Sequence, residues 1–144
     1  MQLLCTNFGQ VPEVAEICDA FLIEIRGRIN TLDLSRNTQY VAYLVFLMID
    51  AQRFKNCLMR LSVGVKGGYL ITYVGFLVPC VRGLRHASVR NDGWLEIEIG
   101  EFFNSGVEEE EVHVSVIEIH GAISMRGFFV EGIEVRTKKT IKQH

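Results

Sequence analysis

The segment "NDGWLEIEIGEFFNSG", residues 91 to 106, decides the fold class of this chain. Apolar and acidic side chains alternate along its middle: Leu95, Glu96, Ile97, Glu98 and Ile99. Apolar residues at every second position predict a half-buried β-strand, with one face in a core and the other in water. By the same alternation Trp94 falls on the glutamate face. The "GEFFNSG" that follows is interpreted as a corner at which both phenylalanines enter the core.

Segments on either side show the same strand pattern. "FLIEIRGRIN", residues 21 to 30, places its apolar residues on one face. "YVAYLVFLMI", Tyr40 to Ile49, is rich in β-branched and aromatic residues and predicts a strand buried on both faces. In "VHVSVIEIHG", residues 112 to 121, the valines point inward until the pattern changes phase at Ile117. That change predicts a bulge or a change of strand partner, with Glu118 on the valine face.

Turn signals separate these strands. Gly67-Gly68 predicts a hairpin, because this pair tolerates the positive φ angles of a tight turn. "CVRGLRHASVRNDG", residues 80 to 93, is predicted to be the longest loop, and "VPEVAEICDA", residues 11 to 20, a short helical turn. A last strand, "RGFFVEGIEVR", is interrupted by Gly132. The fold class predicted is all-β, an antiparallel β-sandwich or jelly roll with little helix.

Composition limits the classes of partner. The 144 residues correspond to one domain, and a net charge of −2 gives no general attraction to nucleic acid or an anionic membrane. The ten-residue apolar run is shorter than the roughly 20 residues that cross a membrane, so we expect no membrane insertion. Four irregularly spaced cysteines and the absence of a secretory signal indicate free thiols and an intracellular protein.

Catalytic and metal-binding patterns are absent from the sequence. No nucleophile elbow, phosphate-binding loop or zinc-type spacing of His and Cys appears, so we expect no enzyme activity, no metal and no cofactor. His113 lies on the polar face of its strand and is interpreted as a surface residue. The many carboxylates leave glycan hydrolysis as an alternative, since a glycosidase needs two of them across a sugar cleft.

Five blocks resemble the phloem protein 2 or Nictaba-like lectin family of plants: "EVAEI", "IRGRINTLDLSRNTQYVAYLVF", "LSVGV", "DGWLEIEIGEFFN" and "GFFVEGIEVR". They divide the chain into an atypical segment 1–12, a lectin domain 13–136 and a basic, solvated tail 137–144. The resemblance implies a β-sandwich that binds N-acetylglucosamine oligomers or N-glycan cores without cleaving them. It also implies a cytoplasmic and nuclear location and a homodimer. Some members carry an upstream F-box, for which we expect no segment here.

The resemblance also gives the candidate sugar contacts. Related lectins carry an early motif resembling "ITWxxxxxYWxW", whereas residues 1 to 12 contain no Trp or Tyr, which indicates an N-terminally shortened member with an exposed neighbouring strand. Ser124 and Met125 stand where the family tends to have an aromatic residue or His. Glu111 and Glu118 fall where its sugar-associated glutamates lie, and a carboxylate accepts hydrogen bonds from sugar hydroxyl and N-acetyl groups. Trp94 is the third candidate, because an indole stacks on sugar rings.

Each of these residues also has an alternative interpretation that involves no sugar contact. Glu111 can be one more charge of the acidic loop, Glu118 an edge residue, and Trp94 a structural side chain that fixes the corner. The whole domain can equally be a protein-interaction scaffold that has lost sugar binding and engages partners through an exposed sheet edge. Whether Cys5 and Cys18 pair under oxidation is left open.

Overall fold

β-strands make up most of the computed structural model, which describes residues 2–5, 15–17, 24–54, 57–78, 85–119 and 127–138. Eleven strands lie in these ranges: β1 (Gln2–Cys5), β2 (Ala15–Ile17), β3 (Glu24–Asn30), β4 (Thr38–Met48), β5 (Leu58–Val65), β6 (Leu70–Phe76), β7 (Arg85–His86), β8 (Ser88–Val89), β9 (Leu95–Asn104), β10 (Glu111–Glu118) and β11 (Phe128–Thr137). Helix is limited there to two 3₁₀ turns, Thr31–Asp33 and Ala51–Phe54.

The strands form two sheets that face each other across one core. The first sheet has the order β1-β3-β10-β5-β6-β7, and the second has the order β2-β11-β4-β9-β8. Their pairings are antiparallel except for β1 with β3 and β6 with β7. Only Ala87 separates β7 from β8, so the chain passes from one sheet to the other at this residue. The predicted all-β sandwich is confirmed.

The second sheet is built around β4. Alternate residues of this strand point into the core: Tyr40, Ala42, Leu44, Phe46 and Met48. Val41 and Val45 lie on the opposite side of the strand and are buried as well. The prediction of a strand buried on both faces is therefore confirmed. Each fully buried Leu or Phe contributes about 1.5–3 kcal/mol, so β4 anchors the core.

A bulge in β9 reverses the alternation on which the sequence prediction was based. Ala42 of β4 is opposite Gly100, but the next residue, Tyr43, is opposite Glu98, so Ile99 is an extra residue in β9. After Ile99 the even-numbered residues point inward. Phe102 is therefore 9% exposed, whereas Phe103 is 53% exposed. The predicted corner with both phenylalanines in the core is wrong, because β9 runs through to Asn104.

β10, in contrast, contains no bulge. Its pairing with β3 and β5 is continuous from Val112 to Ile117, and Glu118 lies opposite Met59. The bulge or partner change predicted at Ile117 is wrong. The alternation simply continues, which turns the Glu118 side chain toward the core.

The structure confirms one of the predictions for the connecting segments and corrects the others. The β5–β6 hairpin is confirmed, with Gly67 at a φ of 81°. The predicted helical turn is wrong over Ala15–Ile17, which is a strand paired with β11, and the predicted long loop contains β7 and β8. β1 covers β3, so the strand expected to be exposed near the N-terminus is paired. Gly132 marks a bulge in β11, which continues to Thr137.

Ser124, Met125 and the tail beyond residue 138 lie outside the ranges that the structure describes, as does the side chain of Cys5. Within those ranges there is no helix long and apolar enough to cross a membrane.

Gly100, beside the bulge, lies against the opposite sheet with no room for a side chain. A Cβ atom at this position would lie 2.9 Å from Cγ2 of Val63 in the opposite sheet. We predict that Gly100→Ala lowers the free energy of unfolding by about 1–3 kcal/mol, because overpacking forces the buried valine to move. Urea unfolding followed by circular dichroism measures the change.

Gly68→Ala is the matched control, since a Cβ there meets nothing closer than 3.4 Å and its φ is not positive. We expect its stability to stay within about 1 kcal/mol of the parent protein. Equal stability of the two variants would contradict the packing argument.

Candidate functional site

A polar cleft opens on the outer face of the second sheet, beside the start of β9 and the end of β11. Its volume is about 360 Å³, and it is lined by Val89, Arg90, Asn91, Asp92, Glu96 and Arg136. Three of these residues belong to the turn between β8 and β9. The other two polar residues come from strands on either side of β4, so the cleft crosses the centre of the sheet.

The turn that forms one wall is fixed by its own hydrogen bonds. The amide of Arg90 donates to the carbonyl of Trp94 at 2.7 Å, and the amide of Gly93 donates to the carbonyl of Arg90 at 3.1 Å. Gly93 has a φ of 88°, which a side-chain-bearing residue rarely adopts. Oδ1 of Asp92 accepts from the amide of Trp94 at 3.1 Å. The polar groups of this wall are thus held in place before any ligand arrives.

The two arginines that line the cleft form ion pairs with three carboxylates, of which Asp92 and Glu96 line the cleft and Glu134 contacts both arginines. Arg90 contacts Glu134 at 3.1 Å and Asp92 at 3.2 Å. Arg136 contacts Glu134 at 2.9 Å and also pairs with Glu96. Partly exposed pairs of this kind add little stability, typically below 1 kcal/mol each. Their main effect is geometric, because each guanidinium is clamped between two carboxylates.

Arg136 reaches Glu96 by crossing the ring of Tyr43 on β4. Its guanidinium carbon lies 3.7 Å from the ring centroid, within cation–π range. Burial raises the pKa of the Tyr43 phenol, and the neighbouring Glu98 and Glu96 carboxylates also raise it, while Arg136 opposes them. The phenol is therefore neutral at physiological pH and keeps its proton for hydrogen bonding.

This arrangement suits a neutral ligand rich in hydroxyl groups. Guanidinium groups only donate hydrogen bonds and carboxylates only accept them, whereas a hydroxyl does both. The three carboxylates outnumber the two arginines, so an anion would meet net repulsion. A sugar hydroxyl can bridge an arginine and a carboxylate without introducing charge.

Of the three residues predicted to contact sugar, Trp94 is adjacent in sequence to this cleft, two residues after Asp92, but is not among the residues that line it. It follows the turn directly, and strand alternation puts it on the same side as Glu96, two residues away. The indole is half-buried.

Glu111 lies elsewhere, at the start of β10 in the first sheet. Its Oε1 is 2.7 Å from Nε2 of His113, and both side chains are more than a third exposed. The hydrogen bond with His113 holds the pKa of the Glu111 carboxyl below its usual range. Glu111 is therefore an ionised, exposed acceptor at neutral pH. His113 is partly exposed, in agreement with its interpretation as a surface residue.

Glu118 is at the other end of β10 and is only 3% exposed. Its side chain forms a hydrogen bond with the buried thiol of Cys57. Burial, followed by the charge of Glu118 and this hydrogen bond, raises the pKa of the Cys57 thiol to about 12. Glu118 therefore lies at the end of the core and presents little surface to a ligand.

The structure does not bring the three predicted residues together. Glu111 and Glu118 are seven residues apart on one strand, a span of roughly 23 Å at about 3.3 Å per residue. They also face opposite sides of the sheet, because their numbers differ by an odd count. One sugar ring therefore cannot contact both, and neither lies in the sheet that carries Trp94.

Three residues of the candidate site were not predicted from the sequence: Tyr43, Arg90 and Arg136. The alternation in "IEVR" places Glu134 and Arg136 on one face of a strand and was a usable signal. Nothing in the sequence showed that this face lies beside the turn at Arg90. In the ranges that the structure describes, His, Cys, Asp and Glu form no group of three that could hold a metal ion.

Comparison with known proteins identifies a family and several relatives. A family model described as phloem protein 2 matches residues 6–137. The Arabidopsis thaliana protein F-box protein PP2-B10 is 37% identical over 92% of this chain and 52% of its own length. Putative F-box protein PP2-B8 is 34% identical over 90% and 47%, and F-box protein SKIP3 is 33% identical over 90% and 48%, both from the same organism. The chain spans about half the length of these curated relatives.

Cys57 provides a test of the buried end of the core. A pKa of about 12 against an ordinary 9.0 leaves about a thousandfold less thiolate at pH 8 than in the unfolded chain. Because the thiolate is the reactive form, we predict correspondingly slow alkylation of native Cys57. Peptide mass spectrometry of iodoacetamide-treated protein, native and in urea, measures both rates.

The raised pKa of Cys57 also makes the free energy of unfolding depend on pH in the alkaline range. The raised folded pKa contributes stability that is complete below pH 9 and is lost as the pH rises from about 9 to 12. Cys57→Ser, whose hydroxyl does not titrate in this range, is the control. Rapid native labelling, or an equal alkaline loss in the Cys57→Ser variant, would contradict the assignment.

Proposed function

The chain belongs to the phloem protein 2 family, and from this premise we propose that it is a carbohydrate-binding module that recognises N-acetylglucosamine oligomers or N-glycan cores without cleaving them. The family is lectin-like, which supports carbohydrate binding in general. The observation that carries the proposal for this chain is the cleft beside Trp94, with its fixed pairs of guanidinium and carboxylate groups.

The proposed ligand follows from the chemistry of the cleft. N-acetylglucosamine is uncharged, so it does not meet the repulsion that an anion would. Its hydroxyls both donate and accept, which matches arginine beside carboxylate, and its N-acetyl N–H can donate to Asp92 or Glu96. We assign the half-buried indole of Trp94, which directly follows the β8–β9 turn, as the apolar surface for a sugar ring. The volume of about 360 Å³ is at the lower end of the roughly 300–1,000 Å³ of small-molecule sites.

Two placements of the sugar compete within this proposal. The family resemblance favours Glu111 and Glu118, while the geometry favours the cleft, because Glu118 is buried and the two glutamates face opposite sides of β10. We therefore propose Trp94, Arg90, Asp92, Glu96 and Arg136 as the contact residues. Glu111 is then a surface carboxylate held by His113.

A second candidate function is a protein-interaction scaffold without sugar binding. It is favoured by one observation, the exposed apolar strand β6, on which Tyr69, Leu70 and Ile71 are more than half exposed. The two functions are separable by ligand titration. We also propose the cytoplasm and nucleus as the location, from the family alone.

Isothermal titration with chitotriose tests the placement of the sugar. We predict that Arg136→Met weakens binding about tenfold or more, because a hydrogen bond to a charged group contributes about 1.5–3 kcal/mol and each 1.4 kcal/mol is tenfold. Arg60→Met is the matched control, since Arg60 is an exposed arginine on the first sheet. Circular dichroism confirms that each variant folds.

Glu111→Ala separates the two placements. If the cleft is the site, we expect Glu111→Ala to bind chitotriose with unchanged affinity. If Glu111→Ala loses affinity while Arg136→Met binds normally, the sugar site lies on the first sheet. Trp94 is the single tryptophan of the chain, so its fluorescence should also change on binding. Absence of heat up to millimolar chitotriose in the parent protein would reject the carbohydrate proposal.

A further inference from the structure

The outer face of the second sheet continues beyond the cleft along β4, β9 and β11. β9 begins at Leu95, so along this strand the face extends from the cleft toward Asn104. Three rows of residues on the side opposite the core cross the face in that direction, as the registers of β4 with its two neighbours define. In order from the cleft, the rows are Glu134, Tyr43 and Glu98; then Arg136, Val41 and Glu101; and last Lys138, Gln39 and Phe103.

The carboxylates beyond the cleft are matched one to one by cations. Oε2 of Glu98 lies 2.9 Å from Nη2 of Arg85, and Oε1 of Glu101 lies 3.0 Å from Nζ of Lys138. The hydrogen bond from Lys138 holds the pKa of the Glu101 carboxyl below its usual range, so this acceptor is ionised at neutral pH. The two pairs extend the donors and acceptors of the cleft along the face without adding net charge.

Gln39 adds a neutral polar group in the last row. Its Nε2 donates to Oε1 of Glu101 at 3.2 Å. A side-chain amide has a second N–H that donates and a carbonyl oxygen that accepts. The hydroxyl and N-acetyl groups of a sugar can use both kinds of group.

Phe103 ends the series with an exposed aromatic ring. Its side chain is 53% exposed, and the bulge at Ile99 is what turns it outward. A single exposed apolar residue is ordinary, but this ring lies in line with the cleft and in one row with Gln39 and Lys138. The face of an aromatic ring packs against the C–H groups of a sugar ring, while polar neighbours reach the hydroxyls at its rim.

A ligand on this face is recognised by side chains. β4 is hydrogen-bonded to β9 on one side and to β11 on the other, so its backbone offers no edge to an added peptide strand. The ion pairs of the cleft and of the continuing face contain five carboxylates and four cations. This near balance gives little attraction to a highly charged ligand and suits a neutral chain rich in hydroxyl groups.

We propose that this face extends the cleft into a groove for a linear N-acetylglucosamine oligomer, with a distal sugar unit packed on Phe103 and hydrogen-bonded to Gln39 and Lys138. Val45 lies opposite Glu96 and Gln39 lies opposite Phe103, six residues apart on β4, or roughly 20 Å. Only an oligomer reaches both ends, so the extension selects ligands by chain length. This inference rests on the proposed function, because it starts from a sugar in the cleft.

Isothermal titration with chitobiose and with chitohexaose tests the extension. We expect Phe103→Ala to weaken chitohexaose binding about fivefold or more, the effect of losing roughly 40 Å² of buried apolar contact, and to leave chitobiose affinity unchanged. A longer oligomer also has more ways to place a unit in the cleft, but the parent and the variant share that statistical gain. The difference between the two proteins therefore measures the contact at Phe103.

Three further variants control this comparison. Tyr69→Ala removes an aromatic ring that is 95% exposed outside the second sheet, and it should bind both oligomers like the parent protein. Phe103→Trp keeps an aromatic face and should retain the affinity for chitohexaose. Lys138→Met removes an exposed cation of the same row and should weaken chitohexaose alone. Circular dichroism and urea unfolding confirm that each variant is folded.

A loss confined to chitohexaose in Phe103→Ala and Lys138→Met supports the extension. Unchanged chitohexaose binding in both variants overturns the extension and leaves the proposed function in place. An equal loss for chitobiose and chitohexaose also overturns it, because that result reports a change in the cleft itself. A parent protein that binds neither oligomer rejects the proposed function and the extension with it.

Discussion

The pairing of β4 with β9 and β11 is the constraint on which the rest of the structure depends. β4 supplies five core side chains of the second sheet and is also buried on its other side at Val41 and Val45. Its register with β9 includes the extra residue Ile99, and its register with β11 includes a shift between Val130 and Gly132. These two irregularities set which residues of the outer strands point outward, and therefore which groups meet above Tyr43.

The cleft depends on the register of β4 with β9 and β11. Glu96 and Arg136 come from strands on opposite sides of β4, and Arg136 crosses the Tyr43 ring to reach Glu96. The β8–β9 turn adds Arg90 and Asp92, held by backbone hydrogen bonds around Gly93. The three carboxylates exceed the two arginines by one negative charge, and the pairs present both donors and acceptors. This is the electrostatic reason for proposing an uncharged sugar as the ligand.

The first sheet has a different character. Its central strand β10 carries an exposed carboxylate at one end and a buried one at the other, and its edge strand β6 carries no charge. The second sheet concentrates charged groups above β4, while the first sheet exposes apolar surface at an edge. The proposed ligand cleft therefore belongs to the second sheet, and the first sheet contributes no residue to it.

The sequence by itself determined what depends on neighbours along the chain. Period-2 alternation identified β3, β9 and β10 as strands, the apolar run rich in β-branched and aromatic residues identified β4, Gly67-Gly68 gave the hairpin, and the block pattern gave the family. Tertiary structure alone decided the phase of the side chains beyond Ile99, the continuous course of β10 past Ile117, and the buried position of Glu118. It also brought Arg90, Glu96 and Arg136 to one cleft and separated Glu111 from Trp94. The physical reason is that alternation reports a local backbone geometry, whereas register, bulges and the proximity of distant residues are fixed by hydrogen bonds and packing between strands far apart in sequence.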